Sequence, residues 1–297
     1  MDWLGLSILS MLAKTGQSFS EKTSQQKLGS FLTLFLLVFL STIFILPLII
    51  IFKPFPQVNN LFWIGIVGSV CAYLVAKPMR LFAIGKGDIS HIIPLTSFNS
   101  LFALIFGWLF LNEVPTNWGL LGVTLITFGG FVINYDSSQS TLVNKLTQPV
   151  KSIFASRVMI FLFISLLIGP ISAVFDKLAI NNTFPRSPYY VLLFENMLIM
   201  PLLLPVLHLR KINLTPLKNL AGWKTPLIVS IFYALANVFN FFAINNGKVG
   251  YVSAIRQLSS VLAVLGGYYI LKEGDFAKRF TGCIVMAIGA FLIATLG

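Results

Sequence analysis

Residues 61–82, LFWIGIVGSVCAYLVAKPMRLF, and residues 221–242, AGWKTPLIVSIFYALANVFNFF, are two versions of one helix. They align at a constant offset of 160, which sets Trp63 against Trp223 and Tyr73 against Tyr233. Without a gap the register extends to 61–133 against 221–293, adding Gly87/Gly247, Gly107/Gly267, Glu113/Glu273, Gly122/Gly282, Gly129/Gly289 and Phe131/Phe291. Of the 73 aligned pairs 16 are identical. Chance in a composition this biased gives roughly 6 or 7, so the second half repeats the first.

The chain is 57% hydrophobic and 10% charged, with a mean hydropathy of +0.88. That is far from a soluble globular composition. Almost all of it divides into apolar runs of membrane-spanning length, about 17–25 residues each. The expected fold is an all-α integral membrane protein with ten transmembrane helices, at 3–20, 31–52, 61–84, 89–111, 117–135, 156–177, 189–208, 223–246, 250–271 and 277–296. Residues 1–135 form the first repeat, 136–152 a polar linker and 153–297 the second repeat. Five helices per repeat is an odd number, so the second repeat enters the membrane inverted. Internal repeats of this kind are a signature of transporters, whose binding sites lie at the repeat interface.

The net charge of +12 would suggest nucleic acid in a soluble chain. Here the basic residues fall mostly in short loops, where they meet anionic lipid, so no nucleic-acid partner is expected. The expected partners are a small-molecule substrate and membrane lipid, with a homodimer through peripheral helices 5 and 10 as a further possibility. Lys22, Lys27, Lys145, Lys151, Arg210, Lys211, Lys272 and Lys278 share one side in an alternating topology, a bias that places both termini outside the cytoplasm. Cys71 and Cys283 both fall inside helices, which argues against a disulfide or a metal site. The start, Met1-Asp2-Trp3, has no basic n-region and reads as no cleavable signal.

A charge at the centre of a membrane helix costs about 2.5–3.5 kcal/mol on insertion scales, so each retained one needs a reason. Tyr73, Lys77 and Arg80 are spaced four and three apart and share a helix face. Their repeat mates Tyr233, Asn237 and Asn240 keep the spacing, so both repeats present a polar stripe. Thr96, Ser97, Asn99 and Ser100 likewise align with Arg256, Gln257, Ser259 and Ser260. Asp176-Lys177 and Glu21-Lys22 place an acid–base doublet at the end of the first helix of each repeat, and helix 7 adds Glu195 and Asn196.

The candidate substrate-binding set is Arg256, Gln257, Lys77, Arg80, Tyr73, Tyr233, Asn237, Asn240, Asn99 and Thr96. Asp176, Lys177 and Glu195 are candidates for a coupling ion or an ion pair. Snorkelling is the competing account of Lys77 and Arg80, and an ion pair to Glu195 or Asp176 that of Arg256. Glu113 and Glu273 are expected to cap the helix that follows each of them. Pro78, Pro94, Pro170, Pro201 and Pro205 each free a backbone carbonyl within a helix. His91 and His208 are the only histidines and lack metal-ligand spacing, and His91 reads as an interfacial residue. No P-loop or hydrolase motif is present, so neither catalysis nor a bound cofactor is expected.

The stretches Gly87-Asp88-Ile89-Ser90, Pro94-Leu95-Thr96-Ser97 and Trp108-Leu109-Phe110-Leu111-Asn112-Glu113, with Gly250-Tyr251-Val252-Ser253, Arg256-Gln257 and Leu271-Lys272-Glu273, resemble the EamA-type branch of the drug/metabolite transporter superfamily. Asn112 and Lys272 stand where a glycine is common in that family. The resemblance implies an inverted five-plus-five repeat, a cavity lined by helices 1, 3, 4, 6, 8 and 9, and peripheral helices 5 and 10. It also implies cytoplasmic termini, against the charge bias. The reading is a secondary transporter, an exporter or exchanger of a small polar or anionic metabolite such as an amino acid, multi-pass in the plasma (inner) membrane. A flippase for lipid-linked substrates and a non-transporting membrane scaffold are the alternatives.

Overall fold

The computed structural model describes residues 2–51, 55–86, 95–133, 157–209, 212, 219–262, 265 and 276–297. Its helices are α1 (Trp3–Leu28), α2 (Ser30–Ile51), α3 (Asn60–Lys86), α4 (Phe98–Leu111), α5 (Asn117–Ile133), α6 (Arg157–Asn181), α7 (Pro188–Leu209), α8 (Leu220–Asn246), α9 (Val249–Gln257) and α10 (Phe276–Leu296). Two-residue strands β1 (Gln57–Val58) and β2 (Thr183–Phe184) pair antiparallel, Gln57 with Phe184 and Val58 with Thr183. The expected linker 136–152, His91, Pro94, Lys272 and Glu273 lie outside the described residues. Among the described residues five helices, α2, α3, α6, α7 and α8, are long and apolar enough to cross a membrane, while α4 and the Phe280–Leu296 part of α10 are shorter apolar helices.

Two helix ends differ from the sequence reading. α1 runs to Leu28 rather than residue 20, because its polar side chains are satisfied locally. Thr15, Ser18 and Ser20 each donate to the carbonyl four residues back. Asp2 caps its first turn through Gly5 N–H at 2.8 Å, and Gly29, at φ +76°, ends it. α6 extends to Asn181, so Asp176 and Lys177 lie within the helix rather than at its end.

The helices gather into two compact units, each drawing on both repeats. The first comprises residues 1–74 and 172–247, and the second 75–171 and 248–297, so α3 and α6 each contribute one part to each unit.

In the first unit α1 lies along α8. Ser10 Oγ donates to Ala236 O at 2.7 Å, and the Phe232 ring fills the space where Gly16 would carry a Cβ. α2 is tied to α8 by Ser230 Oγ donating to Leu36 O (3.3 Å) and to α7 by Asn196 Nδ2 donating to Ser41 Oγ (3.3 Å). α3 meets α6 closely, because a Cβ on Gly65 would stand 2.7 Å from the Ala179 backbone nitrogen.

In the second unit α5 and α10 cross backbone to backbone. A Cβ on Gly122 would meet Gly289 O at 2.7 Å, and one on Gly129 would meet Gly282 O at 2.7 Å. Gly282 is the repeat mate of Gly122 and Gly289 that of Gly129, so the two contacts are one contact with the roles exchanged. Lipid tails are as apolar as leucine, and close packing at small residues is what holds such a pair together. A separate core joins Ala83 and Leu95 to Met159, Leu162 and Leu166.

Candidate functional site

Two polar groups stand out, one in each unit. The group in the first unit starts from i, i+4 spacing on two facing helices. Ser69 and Tyr73 share a face of α3, and Ser172 and Asp176 share a face of α6. Gly65 and Gly68 let the two helices approach, the latter lying under the Phe175 ring. Ser69 Oγ donates to Asp176 Oδ1 and lies 3.0 Å from Ser172 Oγ. Asp176, Glu195 and Ser69 are all buried.

One turn along α3, the Tyr73 hydroxyl lies 2.8 Å from that of Tyr233 on α8, its own repeat mate. Asn237 is half-buried one turn farther along α8. Gln17 Nε2 donates to Glu21 Oε2 at 3.2 Å. Asn240 is buried farther along α8.

Lys177 reaches across to the end of α8, where its Nζ donates to Gly247 O at 2.7 Å. A cation there complements the helix dipole.

The group in the second unit sits on α4 and α9. Gln257 Nε2 lies 3.5 Å from Ser97 Oγ, again a residue and its repeat mate, at the outer limit of a hydrogen bond. Ser100 Oγ donates to Ser97 O (3.0 Å), and its mate Ser260 donates to Gln257 O (2.8 Å), so the repeat extends to individual hydrogen bonds. Thr96 is buried, Asn99 half-buried. Arg256 is half-buried in the last turn of α9, where its charge meets the negative end of the helix. Lys77 and Arg80 are half-buried in the part of α3 that belongs to this unit.

Glu113 caps a helix, one that begins 136 residues farther along the chain. Its Oε2 accepts from Val249 N–H at 2.7 Å, at the start of α9. Asn112 just before it holds φ +55°, a left-handed conformation that glycine adopts freely and asparagine tolerates best among the rest. The asparagine at a position where the resemblance leads one to expect glycine therefore serves the same turn.

Sequence reasoning missed Ser69, Ser172 and Ser41. The repeat mate of Ser69 is Val229, so no repeated pattern marks it, and a lone serine in a membrane helix usually satisfies itself on its own backbone. Among the described residues no group of three or more His, Cys, Asp or Glu is arranged to hold a metal. Cys71 is exposed and Cys283 buried, and both are free.

The model of the EamA-like transporter family matches the chain twice, over residues 3–135 and 156–295. No curated protein matches it. Among solved structures, a crystal structure superposes with a TM-score of 0.72 over 99% of this chain and 96% of the other, at 12% identity. A likeness at that identity speaks for the fold.

Proposed function

The chain belongs to the EamA-like transporter family, and from that premise we propose that this integral multi-pass membrane protein is a secondary transporter of a small anionic metabolite, such as an amino acid or a related compound. In this reading it works by alternating access, as an exporter or exchanger in the plasma (inner) membrane. What supports the anionic assignment is the concentration of cations on the helices of the second unit. Lys77, Arg80 and Arg256 sit half-buried there. Cations partly withdrawn from water favour a nearby anion, and an anionic substrate supplies one.

Arg256 and Lys77 bind the anionic group, with Arg80 alongside. Gln257, Asn99 and Thr96 orient the polar remainder. In the first unit Tyr73 and Tyr233 act as a gate, backed by Asn237 and Asn240. The test is a thermal-stability screen of purified protein against carboxylates, phosphates, amines and neutral sugars. A bound ligand at 100 times its Kd adds about 2.7 kcal/mol. One anionic class is expected to stabilise the wild type and to lose its effect in Arg256→Ala. Equal responses in both proteins, or stabilisation by amines alone, would overturn the anionic assignment.

A further inference from the structure

Two helical stretches of the second unit are interrupted at matching places. Leu95 and Thr96 are helical, Ser97 is a turn, and Phe98 opens α4. In the other repeat α9 closes at Gln257, Leu258 is a turn, and residues 259–262 are helical again. Leu258 is the repeat mate of Phe98, so the two interruptions fall within one residue of each other in the aligned register. Around Leu258 the winding tightens. Its N–H donates to Ile255 O at 3.1 Å, three residues back, and Val261 N–H donates to Leu258 O at 2.9 Å, again three back. A short tightened stretch inside a helix marks a hinge or a strained sequence.

Hydroxyls make the interruption tenable in lipid. In a regular helix Val261 N–H would meet Gln257 O, four residues back. That carbonyl instead receives Ser260 Oγ at 2.8 Å, and in the first repeat Ser100 Oγ donates to Ser97 O at 3.0 Å. A carbonyl freed inside a membrane needs such a partner. A serine bonded back to its own helix also bends it. The same two hydroxyls touch the glycine-packed pair: Ser100 Oγ lies 3.2 Å from Thr127 Oγ1 of α5, and Ser260 Oγ 3.7 Å from Met286 Sδ of α10. Each interruption thus rests on one helix of that pair, and the two approach one another at Ser97 and Gln257, 3.5 Å apart.

Four members of the candidate substrate-binding set lie beside these interruptions. Thr96 and Asn99 are within two residues of Ser97, and Arg256 and Gln257 immediately precede Leu258. We propose that Ser100 and Ser260 are positioning residues, whose hydroxyls hold the paired interruptions and so aim those four side chains. Neither serine needs to touch a substrate. A backbone bond from Val261 N–H to Gln257 O, in place of the hydroxyl, would make the helix regular and re-aim Arg256. That a substrate is what they aim at rests on the transporter reading; the hydroxyl-held interruption does not. The substrate screen and the following measurements can therefore fail separately.

Hydrogen–deuterium exchange of the full-length protein in lipid bilayers, read by mass spectrometry, tests the hinge. In the wild type the amides of residues 258–261 are expected to exchange faster than those within α9. Ser260→Ala should slow them about tenfold, because the helix regains one backbone hydrogen bond, and Ser260→Thr should keep the wild-type rate. Ser100→Ala should act likewise on residues 98–101. Thr124→Ala removes a hydroxyl bonded to Leu120 O away from either interruption, and should leave all these rates unchanged. A hydroxyl that merely stabilises predicts the opposite sign, faster exchange in the alanine variants. That result, unchanged rates, or wild-type amides no faster than those of α9 would overturn the proposal. The aim is read in Arg256→Cys with Cys71 and Cys283 replaced by serine. Its reaction rate with N-ethylmaleimide should change several-fold when Ser260→Ala is added, and Ser260→Thr should leave it as it was. A rate unmoved by Ser260→Ala would overturn the positioning role.

Discussion

The two units use the same material, apolar helices, and some of their helix pairs are held together by different means. In the second unit α5 and α10 touch through the carbonyls of Gly282 and Gly289, leaving no room for a side chain. In the first unit the helices are joined by hydroxyls and amides reaching across: Ser10 to Ala236, Ser230 to Leu36, Asn196 to Ser41, Ser69 to Asp176. Backbone contact at glycine is geometrically rigid. A hydrogen bond between helices in lipid is worth little on average, about 0.6 kcal/mol, and can be exchanged for another. The α5–α10 pairing is therefore built to hold its packing, and the pairings of α2 with α7 and α8 to rearrange at small cost.

That contrast can be broken in order of effect. Gly129→Val drives a branched side chain into Gly282 O and Met286. It should cost about 3 kcal/mol or more, measured as a lower unfolding midpoint of the purified protein. Glu113→Ala removes a charged acceptor from Val249 N–H and should cost about 2 kcal/mol in the same measurement. Tyr73→Phe removes one hydroxyl–hydroxyl bond and should cost about 1 kcal/mol. Adding Tyr233→Phe should cost little more, since one interaction cannot be lost twice. Ser10→Ala should be the mildest, about 0.6 kcal/mol. If Ser10→Ala proved as damaging as Gly129→Val, the two units would not differ in the way described.

The repeat made much of this readable in advance. Tyr73 and Tyr233 were marked as a pair by their register, and their hydroxyls meet. Ser97 and Gln257 were aligned by the same offset and approach one another. Ser69, whose repeat mate is a valine, was hidden, and so was the partner of Glu113, since Val249 lies at a distance of 136 residues, which no local pattern announces. The contact of Lys177 with Gly247 O, 70 residues away, was likewise beyond any local pattern. The end of α1 was placed too early because polarity was taken for a boundary, although hydroxyls bonded to their own helix let it continue to Leu28.

The exchanged contacts of Gly122 with Gly289 and Gly129 with Gly282 have the arithmetic of an isologous two-fold dimer written into one polypeptide. Two separate copies would be bound to carry every charge in duplicate, at about 2.5–3.5 kcal/mol for each one placed deep in lipid. Covalent fusion lifts that obligation. Lys77 keeps its charge while position 237 settles for asparagine, and Arg256 keeps its own while position 96 remains a threonine. A symmetric frame is thereby free to hold a chemically lopsided interior, with two halves of one ancestry carrying different charges at matching positions.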